Sequence, residues 1–321
     1  MSSLFDILDF AGIGLGSVQS DDEMTVIPLV GGDRGDVASP SSLKFERTTG
    51  YGEMKFSNED EKPAIVPSNM MIRGTGAQDH AMSGSGIVKA NSSESFNNAC
   101  CIEETQGGLL SATGNDEDIL PIGLRKPLLD YGKRSEKGYS KLWHDIKGWL
   151  RGMNLGRRSA AHLRYFYDDK NINQALEEFA ASFEPIENQI GAVIMFNGVP
   201  VGIEIMPSAD HWDAYWQQLL RGCYGAELLR MKRLGKIAPS TLILPNIPEE
   251  SSGEHVKEIL IEFTNHLREE IIPILEQISV SDNRRIGSIT SGLETRMITT
   301  DSGGGDVILQ DSKPIYISLV L

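Results

Sequence analysis

Residues 190–229 read IGAVIMFNGVPVGIEIMPSADHWDAYWQQLLRGCYGAELL. Two apolar, β-branched runs, 190–196 and 199–206, flank Asn197-Gly198. An Asn-Gly pair between such runs predicts a two-residue type I′ turn, because both central residues must take positive φ. Ser208 then stands where a helix cap belongs, and Trp212, Trp216, Leu219, Leu220 and Cys223 recur along one helical face. Gly235 follows Arg230, Lys232 and Arg233, which suits a helix C-terminus and its left-handed stop. A hairpin running into a long helix places the chain in the α+β class.

Upstream of this block, residues 1–23 read as an N-terminal arm, a short apolar helix or a docking segment. MTVIPLV (24–30) reads as a strand stopped by Gly31-Gly32-Asp33. The runs LKFERT, GEMKF, AIVPSNMMI, GIVKA and ACCIEE, separated by Gly, Ser, Asn and Asp clusters, predict an antiparallel β-rich module over 24–121. Within it, 31–42 reads as loop and SATGNDEDILP (111–121) as an acidic linker. Helical spacing follows over 136–152 and 157–182, with Asn173 as a cap. Downstream, Ser251 and Glu254 form a capping-box pattern for a second long helix. Its apolar stripe runs from Val256 to Ile278, with Pro273 as a kink. A meander of three strands, 285–299, 306–310 and 314–321, closes the reading. Residues 134–321 thus make an α/β module packed against the β-rich one as one compact unit.

The chain has 321 residues, enough for a large core. No apolar run approaches the roughly 18 residues of a membrane span. The N-terminus lacks a basic segment and carries Asp6 and Asp9 within its apolar part, which argues against a signal peptide. Three cysteines (Cys100, Cys101, Cys223) without a spacing pattern point to a reducing, cytoplasmic setting. None of the six histidines forms an HxH, HxxxH or HExxH pair, so spacing predicts no metal site. The net charge of −15 disfavours non-specific binding to polyanions. From Lys133 to Arg164, however, nine basic residues face two acidic ones.

The 190–229 block resembles the ADP-ribosylglycohydrolase- and rhodanese-phosphatase-associated (ARPP) domain family. Gly191, Ala192, Gly198, Gly202, Trp216, Leu219, Leu220, Arg221 and Tyr224 carry the hairpin-helix pattern. Gly76-Ala77-Gln78 and Cys101-Ile102-Glu103 match the Gly-Ala and Cys-aliphatic-Glu steps of the family's N-terminal β part, so the resemblance covers roughly residues 20–240. The chain departs from the family where Gln78-Asp79-His80-Ala81 replaces Lys-Gln-Asn-Arg, where Asn69-Met70 replaces an acidic pair, and where Glu104-Thr105-Gln106-Gly107 replaces Gly-Arg-Trp. The resemblance implies association with NAD and ADP-ribose metabolism and names no reaction.

Four stretches carry candidate chemistry. The loop 74–86, GTGAQDHAMSGSG, presents glycine N–H groups with Gln78, Asp79 and His80, against a bland reading as a mobile polar loop. Cys101 and Glu103 share a strand face, as nucleophile and base or as core and strand end. The helix start at Glu204, Asp210, His211 and Trp212 offers an anion site and an aromatic platform, or simple packing. The basic segment 133–164, with Lys141, Lys147, Arg151, Arg157 and Arg158 among Tyr139, Trp143 and Trp149, suits phosphates and bases, or a solvated face.

Two functions follow. One is a nucleotide-directed protein that binds NAD, ADP-ribose or a related phosphorylated nucleoside, with or without processing it, through Gln78, Asp79, His80 and Glu103, with Arg221 or a basic residue of 133–164 on phosphate and Trp212 or Trp216 as platform. The other is a non-enzymatic assembly protein that binds nucleic acid or an acidic protein surface through 133–164. Paired acidic and basic regions also allow a homo-oligomer.

Overall fold

Asn197 and Gly198 take φ of +51° and +79°, so the Asn-Gly pair closes the hairpin as its chemistry requires. The hairpin strands Gln189–Phe196 and Val199–Ile205 form the middle of a nine-stranded antiparallel sheet. This computed structural model describes residues 4–8, 12–21, 23–105, 107–133, 139–155, 160–237, 262, 265, 266, 269, 272–286 and 289–321.

Gln189–Phe196 pairs on its outer side with Met24–Val30, and Val199–Ile205 pairs with Lys313–Val320. The sheet continues through Gly304–Gln310 and Leu293–Thr300 to Val280–Arg285. The 24–30 strand is therefore hydrogen-bonded into the hairpin's sheet. The C-terminal meander has four strands where three were expected, because VSDNRR (280–285) is a polar edge strand without an apolar alternation to announce it.

Alternation along Met24–Val30 separates two cores. Ile27 and Leu29 face a cluster with Val193, Ile205, Ile317 and Leu319, closed by Leu4 and Leu8 of the N-terminal arm and by Leu275. Val26 faces the opposite side, with Ala192, Ile194, Trp212, Trp216, Leu220 and Tyr224. Ser208 caps the covering helix, its Oγ accepting from His211 N at 3.3 Å. Gly235, at φ +62°, ends it. The expected single helix is three pieces: Ala209–Gln217, a π-helical segment Gln218–Gly225, and Ala226–Arg233. The wide π turn brings backbone close to its neighbours, and a Cβ on Gly222 would stand 2.9 Å from Asp118 Oδ1.

Two expectations are corrected. The acidic stretch taken as a linker contains the strand Asn115–Ile119, paired with Met70–Gly74, because Arg73 neutralises Asp118 across the ladder at 2.7 Å. The helix Lys170–Ala180 is capped by Asp169, which accepts from Asn171 N and Ile172 N, while Asn173 lies inside it and donates to the Tyr167 carbonyl. Much of the second long helix, including Ser251, Glu254 and Val256, lies outside the described residues; residues 272–277, with Pro273, are helical. Among the described residues no helix is long and apolar enough to cross a membrane.

One buried ion pair joins these parts. Arg125, from the helix Ile122–Lys133, donates from Nη1 to Glu204 Oε1 at 2.5 Å and to Ser318 Oγ at 3.3 Å. Tyr224 donates to the same Glu204 oxygen at 2.9 Å. Arg125 and Glu204 are each 1% exposed. Removing one member leaves a charge in the core, so Arg125→Met should cost about 3–5 kcal/mol in urea denaturation. Arg125→Met combined with Glu204→Leu should recover most of that loss.

Candidate functional site

The Gly-Ala and Cys-aliphatic-Glu steps meet in space. The strand Ala99–Cys101 pairs with His80–Met82, with Cys101 opposite His80. Ile102 N donates to the Asp79 carbonyl at 2.9 Å, and Asp79 N donates to Glu103 Oε2 at 3.3 Å. The loop before Asp79 turns at Gly76, whose φ is +82°, and Asp79 Oδ1 accepts from Gly74 N at 3.0 Å. A third segment closes on this pair. Glu103 bridges to His162, Glu104 N donates to the Ala161 carbonyl, and Arg164 grips Asp79 through Nε at 2.9 Å and Nη2 at 2.6 Å.

The loop 74–86 is therefore not a mobile polar turn. His80–Met82 is a strand, and Gln78, Asp79 and His80 are buried because Arg164 supplies the charge that Asp79 needs away from water. Gln78 Nε2 donates to the Glu103 carbonyl at 3.1 Å. His80 Nδ1 lies 2.9 Å from the Gln78 carbonyl, and burial pushes its pKa down. Cys101 Sγ donates to the Glu103 backbone carbonyl at 3.0 Å, and burial pushes the thiol up to about 11. It is a buried thiol at neutral pH, not a nucleophile held beside a base.

Glu103 is the chemically tuned member. Burial, and then the nearby Asp79 carboxylate, push its pKa up to about 7, against the Asp79 N–H and the Arg164 guanidinium. Its Oε1 lies 3.3 Å from His162 Nε2. His162 and Arg164 were not singled out as site residues from sequence; their only signal was membership of the basic segment.

A second feature lies between the strands Met70–Gly74 and Asn115–Ile119 and the π segment. It is a pocket of ≈ 590 Å³ whose charged lining is Arg73 and Arg221 with Asp116, Glu117, Asp118 and Glu177, beside Asn115, Tyr167, Asn173 and Gln218. The Arg73 guanidinium sits 4.4 Å from the Tyr167 ring centroid and bonds Asp118. Arg221 Nη2 reaches Glu177 at 3.4 Å. Arg73 Nε, Arg221 Nε and Gln218 Oε1 are buried and have no hydrogen-bond partner among the described residues. The turn Arg164–Tyr167 links this pocket to the Asp79–Glu103 cluster, with Arg164 serving one and Tyr167 the other.

The remaining sequence candidates scatter. Trp212 is fully buried and packs on Trp216, with ring centroids 5.1 Å apart. Lys147 is paired with Glu104 at 2.7 Å, and Arg151 is exposed at the end of the helix Tyr139–Gly152. The Lys141 side chain, Arg157 and Arg158 lie outside the described residues.

A carboxyl whose folded pKa exceeds its unfolded value stabilises the fold fully below the unfolded pKa and loses that contribution as pH rises through the folded one. Glu103 should therefore make stability fall between about pH 4.5 and 7. Asp306, fully buried and pushed up to about 6, adds a slope of the same sign at lower pH. In EDTA-containing buffer, Glu103→Gln should remove the slope of the thermal-midpoint profile between about pH 6 and 7 and roughly halve it between about pH 4.5 and 6, where Asp306 still titrates.

A family model described as the ARG and Rhodanese-Phosphatase-superfamily-associated Protein domain, ARPP-1, matches residues 12–318. No curated protein and no solved structure matches the chain.

Proposed function

The chain belongs to the ARPP-1 family, and on that premise we propose that it binds a phosphorylated nucleoside of the NAD and ADP-ribose class in the pocket between Arg73 and Arg221. The family's name associates it with ADP-ribosylglycohydrolases and rhodanese-phosphatase proteins. The observation that carries the ligand class is the pair of arginines, Arg73 and Arg221, that line the pocket from the strand Met70–Gly74 and from the π segment. A pyrophosphate offers several anionic oxygens in the geometry a guanidinium matches. Asn115, Asn173, Asp116 and Glu177 supply donors and acceptors suited to ribose hydroxyls and base edges. The volume falls in the range of small-molecule sites.

In the rival reading, assembly on nucleic acid through 133–164, Lys147 is held by Glu104 and Arg164 by Asp79, as Arg73 and Arg221 of the pocket are by Asp118 and Glu177. Thermal unfolding with ADP-ribose, NAD, AMP and a short RNA, at low and high salt, separates the two. ADP-ribose should raise the midpoint saturably at both salt concentrations. Arg221→Ala should weaken that binding roughly 10- to 100-fold. A response to RNA alone, lost at high salt, would overturn the nucleotide reading in favour of the basic segment.

A further inference from the structure

Asp79, Glu103 and His162 come from three separate segments, yet each offers one ligand atom and these atoms all lie within 4.8 Å of one another. Asp79 and Glu103 are buried, and the His162 side chain is 14% exposed. Two ligands held 2.0–2.1 Å from a tetrahedral ion stand about 3.3–3.4 Å apart. His162 Nε2 and Glu103 Oε1 are 3.3 Å apart. The Asp79 ligand atom lies within 4.8 Å of both.

The surroundings fit a cation. Two carboxylates and an imidazole share a single guanidinium. Arg164 and Gly74 N hold the Asp79 carboxylate from outside, as the outer partners of metal-bound carboxylates do. Gln78 is 6% exposed, and its Nε2 bond to the Glu103 carbonyl fixes the amide beside the cluster. Its Oε1 has no partner among the described residues, which leaves an oxygen for the ion or for a water bound to it.

We propose that Asp79, Glu103 and His162 bind a divalent metal ion of borderline softness, Zn²⁺ being the best match to one imidazole nitrogen, two carboxylate oxygens and an open fourth position. This reverses the expectation drawn from histidine spacing, which senses ligands only when they share a helix or a turn. The ion ties the loop before Asp79, the strand end at Glu103 and the segment at His162 into one unit. It sits behind the turn that carries Tyr167 into the nucleotide pocket.

The test uses the tag-free full chain, stripped with EDTA and then freed of chelator. Calorimetric titration with ZnCl₂ should show one saturable equivalent and a raised thermal midpoint. Co²⁺ in place of Zn²⁺ should give the intense visible bands of a four-coordinate site. His162→Ala should abolish saturable binding, and Arg164→Lys should weaken it about 10- to 100-fold. Should His162→Ala fail to fold, the cobalt spectrum of the unaltered chain decides. Absent stoichiometric uptake, a weak six-coordinate spectrum, or unchanged binding in His162→Ala would each overturn the site. Nucleotide binding is read separately through Arg221→Ala, so either proposal can fail without the other.

Discussion

The pair between Arg125 and Glu204 is the constraint around which the rest is arranged. Glu204 lies on the inner hairpin strand, Ser318 on the strand beside it, Tyr224 in the π segment, and Arg125 on the first helix after the β-rich region. Four elements thus meet at one buried ion pair. Such a pair contributes little net stability against an apolar replacement, but it tolerates few alternative arrangements. It also explains a glycine: a Cβ on Gly202 would stand 2.2 Å from the Tyr224 hydroxyl, so the strand must be bare where the tyrosine reaches Glu204.

The same economy recurs at the candidate site on a smaller scale. Asp79 and Glu103 lie side by side in low dielectric, which neither would accept alone. Arg164 meets one and His162 the other, and both come from a segment rich in cations. What looked like a surface charge run is partly an internal supply: Lys147 on Glu104, Arg164 on Asp79. Arg73 plays a similar part toward Asp118. The acidic body and the basic segment are therefore partners within one chain before they are partners for anything else.

Local chemistry was legible where it was self-contained. Asn197-Gly198 needs no distant residue to turn, and Ser208 needs only His211 N to cap, so both stood out in the sequence. The strand at 24–30 was legible as a strand, but its neighbour, some 160 residues on, was not. Asn115–Ile119 was misread because its charges looked like solvated linker until Arg73 was placed opposite them. At the site, Gln78, Asp79, His80 and Glu103 were visible as unusual residues at matching motif positions. Their burial was not, since it depends on Arg164, 85 residues away from Asp79. The sequence reading named Arg221, which lines the pocket; Arg73, which lines it too, sits at the end of an apolar run.

The position of Lys313–Val320 bears on how such a chain comes to be folded at all. This strand is inserted between Val199–Ile205 and Gly304–Gln310, and the far side of the hairpin is taken by Met24–Val30. The centre of the sheet thus waits for residue 320 before its hydrogen bonds are complete. On a ribosome, the hairpin would emerge with Val199–Ile205 as a bare apolar edge and Glu204 unshielded, long before its partner is made. Topologies of this kind fold slowly and pass through aggregation-prone intermediates. Val199–Ile205 therefore keeps an unpaired edge until residues 313–320 are available.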